Sequence, residues 1–265
     1  MDNICKDLNA QYLEFDALVS GLSRKKWFAV TPFFGWTIFD QVAHVAFFDS
    51  QALLAIKAPE MFTDSAKSIL QLLSSEGEWP PKTNPLLGPE YPDELMNLWR
   101  TTRTELLKRL EKIAPKQRIV WYGPDMSARS FATARLMEVW AHSQDVFDTL
   151  RVKRKNTARL QHVAHIGVTT FAWSFAVRKR SSPKSRPRVE LIGPSGECWV
   201  WGEPDAEETV TGSAEEFCLV VTQRRNIADT RLQYRGDEVK QWLSFAQAFA
   251  GIAQTPPTPG ERVVH

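Results

Sequence analysis

GWTIFDQVAHVAFFD, residues 35–49, is the stretch on which the reading of this chain turns. Thr37 can cap a helix, and Asp40 three residues later completes a capping box, so a helix starts here. It is expected to run to about Ala58, where Pro59 stops it. His44 sits beside Val45, Phe47 and Phe48, which turns it toward the interior of whatever this helix packs against. The second decisive stretch is EVWAHSQDVFD, residues 138–148. Glu138 and His142, four residues apart on a helix, share one face one turn apart. A carboxylate and an imidazole so placed can share one divalent ion. Two histidines and a glutamate leave a coordination position open, which separates catalytic from structural zinc. Asp145, one turn beyond His142, is a candidate further ligand or a carboxylate supporting one. Spacing by itself leaves a plainer reading open, because Glu/His pairs at this interval also occur on solvated helix faces.

Around these two stretches the apolar period is helical. Ile4, Leu8, Tyr12, Phe15, Val19 and Leu22 mark an amphipathic first helix, and residues 31–36 (TPFFGW) read as a loop before the second. Residues 74–92 hold five prolines and two glycines and form a long connection, within which Trp79 is the candidate for covering a pocket. From Pro92 a third helix carries Leu95, Leu98, Trp99, Leu106, Leu110 and Ile113 on one stripe and ends before Pro115. After a turn at residues 121–130, residues 131–150 form the fourth helix. Four such helices suit a bundle. A fifth, connecting helix is expected over Thr157–Val177, followed by an exposed basic linker, RKRSSPKSRPR. Beyond it the period becomes two. RVELI and ECWVW flank Gly193-Pro194-Ser195-Gly196, a hairpin signal. SAEEFCLVVTQRR reads as helix, TRLQYRG as strand, EVKQWLSFAQAFAG as a closing helix, and TPPTPGERVVH as a loose tail. The expected architecture is a helical bundle over residues 1–178 and a small α+β domain over residues 188–255.

Composition bounds the function. Of 265 residues, 43% are hydrophobic and 24% charged, as in an ordinary globular protein. A net charge of +2 gives no reason to expect a nucleic-acid partner. No apolar run approaches the roughly 18 residues of a membrane span, and the polar N-terminus does not read as a signal peptide. Cys5, Cys198 and Cys218 are odd in number and lack a CxxC pair, which argues for a reducing, cytoplasmic setting and for small buried hydrophobes rather than nucleophiles. His162 and His165 have no Cys or carboxylate at ligand spacing and are expected to be structural or to line a pocket. Oligomeric state is left open, a homodimer included.

GWTIFDQVAHVAFFD together with EVWAHSQDVFD resembles the pattern of the mycothiol-dependent maleylpyruvate isomerase family, within the DinB-like superfamily of metal-binding four-helix bundles. VTGSAEEFCLVVTQRRN and WLSFAQAFAG are similar to that family's C-terminal domain, in a largely uncharacterised branch. The resemblance implies a DinB-like bundle followed by an α+β domain, and a divalent metal, usually zinc, on His44, Glu138 and His142. It implies a low-molecular-weight thiol, mycothiol or glutathione, as cofactor, and isomerase or S-transferase chemistry on a small unsaturated or carboxylate metabolite. In the resembling enzyme an arginine of the C-terminal domain takes part, and Arg224 or Arg225 is the candidate here. Two other readings stay open at this stage. One is a thiol-independent hydrolase, lyase or cyclase using the same metal. The other is a non-catalytic metal- or small-molecule-binding module.

Overall fold

A computed structural model describes residues 1–75 and 84–262 and divides the chain into two compact units, Met1–Val152 and Lys153–His265. Trp79 and the centre of the proline-rich connection lie outside the described residues.

The first unit contains α1 (Asp2–Val19), α2 (Arg24–Trp27), α3 (Ile38–Lys57), α4 (Pro59–Ser75), α5 (Asn84–Leu87), α6 (Pro92–Lys112) and α7 (Ala128–Leu150). A two-stranded hairpin, β1 (Arg118–Ile119) with β2 (Met126–Ser127), precedes α7. The long helices form a closed ring, α1 on α6, α6 on α3, α3 on α7 and α7 on α1. The first stripe read from sequence is the one that is buried, with Leu8, Tyr12, Phe15 and Val19 fully enclosed. Each such Leu or Phe contributes about 1.5–3 kcal/mol. Pro59 ends α3, as expected, and also starts a helix that the sequence reading had not assigned. It opens α4, where a proline is tolerated because its missing N–H would have had no intrahelical partner.

Four helices converge on one carboxylate. Asp49 of α3 is fully buried. It accepts hydrogen bonds from Tyr12 Oη of α1 at 2.7 Å, Trp99 Nε1 of α6 at 3.0 Å and Arg135 Nε of α7 at 3.1 Å. Burial works against the charge on Arg135, but Asp49 and, further off, Glu138 outweigh it and hold the guanidinium charged. Burial beside Asp49 pushes the Tyr12 phenol well up, so it stays a donor. A second ionic contact ties α1 to α6. Asp16 accepts from Arg100 Nε at 2.9 Å and Nη2 at 2.7 Å, and from Arg103, whose guanidinium stacks 4.4 Å from the Trp99 ring.

The second unit contains α8 (Leu160–Thr169), α9 (Phe171–Ala176), β3 (Arg188–Ile192), β4 (Cys198–Trp201), β5 (Thr209–Ser213), α10 (Ala214–Val221), a 3₁₀ turn (Ile227–Asp229), β6 (Gln233–Arg235) and α11 (Asp237–Leu243). The sheet order is β4-β3-β5-β6, with β3 and β5 parallel and the outer pairings antiparallel. The β3–β4 hairpin turns at Gly193–Gly196 as read. β5 is a strand that the sequence reading does not assign. Its Gly212 is required at φ +143°, where a Cβ would lie 2.8 Å from Leu232.

Three expectations are corrected here. The single helix over Thr157–Val177 is two, α8 and α9, with Thr170 between them, and both lie within Lys153–His265. The last helix stops at Leu243, because Gln247 N and Ala248 N donate to Ser174 Oγ and Val221 O instead of continuing it. The tail is not loose through Arg262: Asn226 Nδ2 donates to Pro257 O at 2.8 Å, and Arg262, buried, donates to Gln223 O at 2.9 Å.

Replacing Arg135 by Met should leave the Asp49 charge buried without a cation and lower unfolding free energy by about 3–5 kcal/mol, measurable by urea titration. The hydrogen bonds from Arg100, with Ser20 and Arg103 acting in the same sense against burial, hold the Asp16 carboxyl well below the usual carboxylate range. A carboxyl depressed by folding contributes its stability above its unfolded value of about 3.9 and loses it as pH falls further. Asp16→Asn should therefore be less stable than the parent at neutral pH. The difference should shrink steadily below about pH 4, and urea titrations across that range check it.

Candidate metal centre

The loop before α3 is shaped to return its tryptophan to the core. Thr31 N donates to Trp36 O at 2.7 Å, and Trp36 N to Phe33 O at 3.0 Å. Phe34 and Gly35 between them take positive φ, 49° and 70°. Trp36 is thereby buried, and the Thr37–Asp40 capping box opens α3 as read, with Thr37 N donating to Asp40 Oδ2 at 2.8 Å and Asp40 N to Thr37 Oγ1 at 3.2 Å. His44 follows on α3, half-buried. From α7, Glu138 and His142 share one face, with His142 Nε2 3.4 Å from Glu138 Oε2.

The two helices bring these groups together. One donor atom from each of His44, Glu138 and His142 lies within 4.8 Å of the other two. The imidazole rings are 4.3 Å apart between centroids. Aromatic rings enclose them: Trp36 stacks on His142 at 6.0 Å, Phe33 meets its edge at 5.3 Å, and Phe48 lies 4.7 Å from His44. An ordinary solvated Glu/His pair has no such surroundings. The donor set, two imidazoles and one carboxylate, suits a borderline-soft divalent ion and leaves room for a further ligand.

One residue of the site was missed from sequence. Gln41 is fully buried on α3, and its Oε1 lies 2.6 Å from His142 Nδ1. The signal was available, since residue 41 precedes His44 by three and so lies on the same helix face. A glutamine at that position reads as a polar interruption of an apolar stripe rather than as a partner.

Asp145 is buried on α7 but is not among the three clustered donors. Arg224 and Arg225 belong to the second unit, just after α10. That helix ends with Gln223 at φ 59°, Gln223 N donating to Val220 O and Arg224 N to Leu219 O, a Schellman ending. Arg224 is buried, with Nη1 donating to Thr222 O at 2.7 Å, and Arg225 is half-buried. His165 accepts at Nδ1 from Trp201 Nε1 at 3.3 Å. Cys5 and Cys218 are buried as expected, and burial pushes the Cys5 thiol up to about 11 and that of Cys218 well above its usual value. Cys198 is exposed at the start of edge strand β4, which corrects the expectation of a buried hydrophobe.

Residues 8–147 match the family model described as the mycothiol maleylpyruvate isomerase N-terminal domain. The chain belongs to that family. The matched segment contains all three donors and Gln41. The chain is 41% identical over 254 residues to an uncharacterized protein of Mycobacterium tuberculosis, in strain H37Rv and equally in strain CDC 1551, covering 96% of both chains. Among solved structures it resembles the mycothiol-dependent maleylpyruvate isomerase, with a TM-score of 0.53 at 16% identity, covering 83% of this chain and 87% of that one. A mutant of the same enzyme gives the same TM-score at 15% identity. This likeness is one of fold. No helix among the described residues is long and apolar enough to cross a membrane.

The thiols offer a direct check on the geometry. In the native protein a thiol-specific disulfide reagent should titrate Cys198 readily, and Cys5 and Cys218 only after denaturant is added.

Proposed function

We propose that this protein is a metal-dependent enzyme that uses a low-molecular-weight thiol, mycothiol or glutathione, on a small unsaturated or carboxylate metabolite, as an isomerase or S-transferase. The observation that carries the reading is the convergence of His44, Glu138 and His142 from two helices, inside the segment matched by the family model. Those three residues would hold the ion, with zinc the expected one. When bound, such an ion supplies Lewis acidity that lowers the pKa of a thiol presented to it.

The residues of the chain have separate tasks in this reading. His44, Glu138 and His142 bind, and the half-buried carboxylate of Glu138 offsets part of the ion's charge. The rings of Phe33, Trp36 and Phe48 displace water from the two imidazoles, which strengthens charge interactions at the site. The Asp49–Arg135 pair holds α3 and α7 in the register that brings the donors together. Neither buried cysteine is suited to act as the nucleophile, because burial keeps both thiols protonated. Arg224 or Arg225 would bind a substrate carboxylate, and Asp145 would support the ligands from within α7.

Elemental analysis of protein purified without chelator should find about one zinc or similar ion per chain, as one His/His/Glu set allows. His44→Ala, Glu138→Ala and His142→Ala should each lose most of it, whereas Arg224→Ala should keep the metal and lose activity. Turnover of unsaturated acids should require added thiol. Metal-dependent turnover without thiol would instead favour a hydrolase or lyase. A chain that keeps its metal content unchanged in His142→Ala would sink the assignment.

A further inference from the structure

We propose that Gln41 is a positioning residue that sets the tautomer of His142, presenting the lone pair of Nε2 to the metal; the inference rests on the metal reading above. A neutral imidazole carries its single proton on one nitrogen, and only the other can bind an ion. Which nitrogen is free depends on what the opposite one meets. Here His142 Nδ1 meets the side-chain amide of Gln41 at 2.6 Å, while Nε2 points toward Glu138.

The amide could serve either tautomer, since one end accepts and the other donates. In the structure its nitrogen faces Thr31 and its oxygen faces His142. Gln41 Nε2 donates to Thr31 Oγ1 at 2.9 Å, and the same oxygen also accepts from Phe33 N at 3.3 Å. A carbonyl oxygen can only accept, so Nδ1 must carry the proton. Gln41 and Thr31 are both buried, and Thr31 is itself fixed by the backbone bond to Trp36. The loop that packs Trp36 against His142 therefore also determines, through two side-chain hydrogen bonds, which nitrogen of that ring is available.

The arrangement also bears on metal-free protein. An amide turned end for end would pair with the Nε2–H tautomer, whose proton would be shared with Glu138. That state ties up two of the three donors. The amide oxygen at Nδ1 selects against it.

The test uses the full chain with ¹⁵N-labelled histidine, its five imidazoles assigned by comparison with His142→Ala. In metal-free wild type at a pH where the ring is neutral, the ¹⁵N shifts should show Nδ1 protonated. Zinc affinity is then measured by competition with a chromophoric chelator. Gln41→Met, of similar length but without the acceptor, should weaken zinc binding on the order of 10- to 100-fold, as loss of such a supporting contact does. It should also leave the two tautomers mixed. Gln41→Glu, which restores an acceptor at the same place, should recover the Nδ1–H form and most of the affinity. Thr31→Val, away from the ion, should mix the tautomers as well and serves if Gln41→Met does not fold. An Nε2–H ring in wild type would overturn the proposal, as would unchanged affinity and tautomer in Gln41→Met or Thr31→Val. If wild type binds no zinc, the metal reading fails, and the ¹⁵N shifts of the metal-free protein still decide the role of Gln41.

Discussion

A carboxylate with no access to water has to be satisfied from within, and Asp49 draws its partners from all the other helices of the bundle. Tyr12, Trp99 and Arg135 each reach it from a different helix. The ionic pair with Arg135 contributes little more than a packed apolar pair would, because both charges must leave water. Its effect is on geometry. Apolar stripes tolerate a slide of a turn along their neighbours, whereas a hydrogen bond within about 3 Å does not. Any shift of α3 against α7 would separate two buried charges.

That restriction reaches the candidate centre directly. His44 precedes Asp49 by five residues on α3, and Glu138 follows Arg135 by three on α7. At about 1.5 Å rise per residue, the ion pair lies within roughly two turns of the donors on each helix. The triad is therefore assembled on two elements whose relative register is held by a buried ion pair. Glu138 also contributes to keeping Arg135 charged, so the structural pair and the donor set are coupled electrostatically. Pre-arrangement of this kind is what a metal centre with an open position needs, since an ion with few protein ligands does little to organise them itself.

The two ends of α3 use different means. At the N-terminus a capping box and two left-handed residues place Trp36 against His142, and the same loop offers Thr31 to Gln41. Further along, Asp49 anchors the helix to its neighbours. His44 and Gln41 lie between these fixed points. In the second unit, by contrast, side-chain-to-backbone bonds do much of the fastening. Gln223, Asn226 and Arg262 contact main-chain atoms of distant residues and Gln247 those of Ile252 nearby, which orders a proline-rich tail with no regular structure of its own.

Local chemistry alone was enough to place the capping box, the buried stripes of α1 and α6, the β3–β4 hairpin, and His44, Glu138 and His142 on helices. Caps, periods of 3.6 or 2 and turn residues act over a few positions and are therefore written in neighbouring letters. Gln41 stood one turn from His44 yet looked like a flaw in an apolar face, because its two partners, Thr31 and His142, lie 10 and 101 residues away. The same reason hid the strand through Gly212 and the docked tail, whose partners are also distant in sequence. Neighbouring letters were enough to say which residues could bind and which faces were apolar. Tautomer, register and partner were not legible in them, because those follow from hydrogen bonds between groups that meet only when the helices pack.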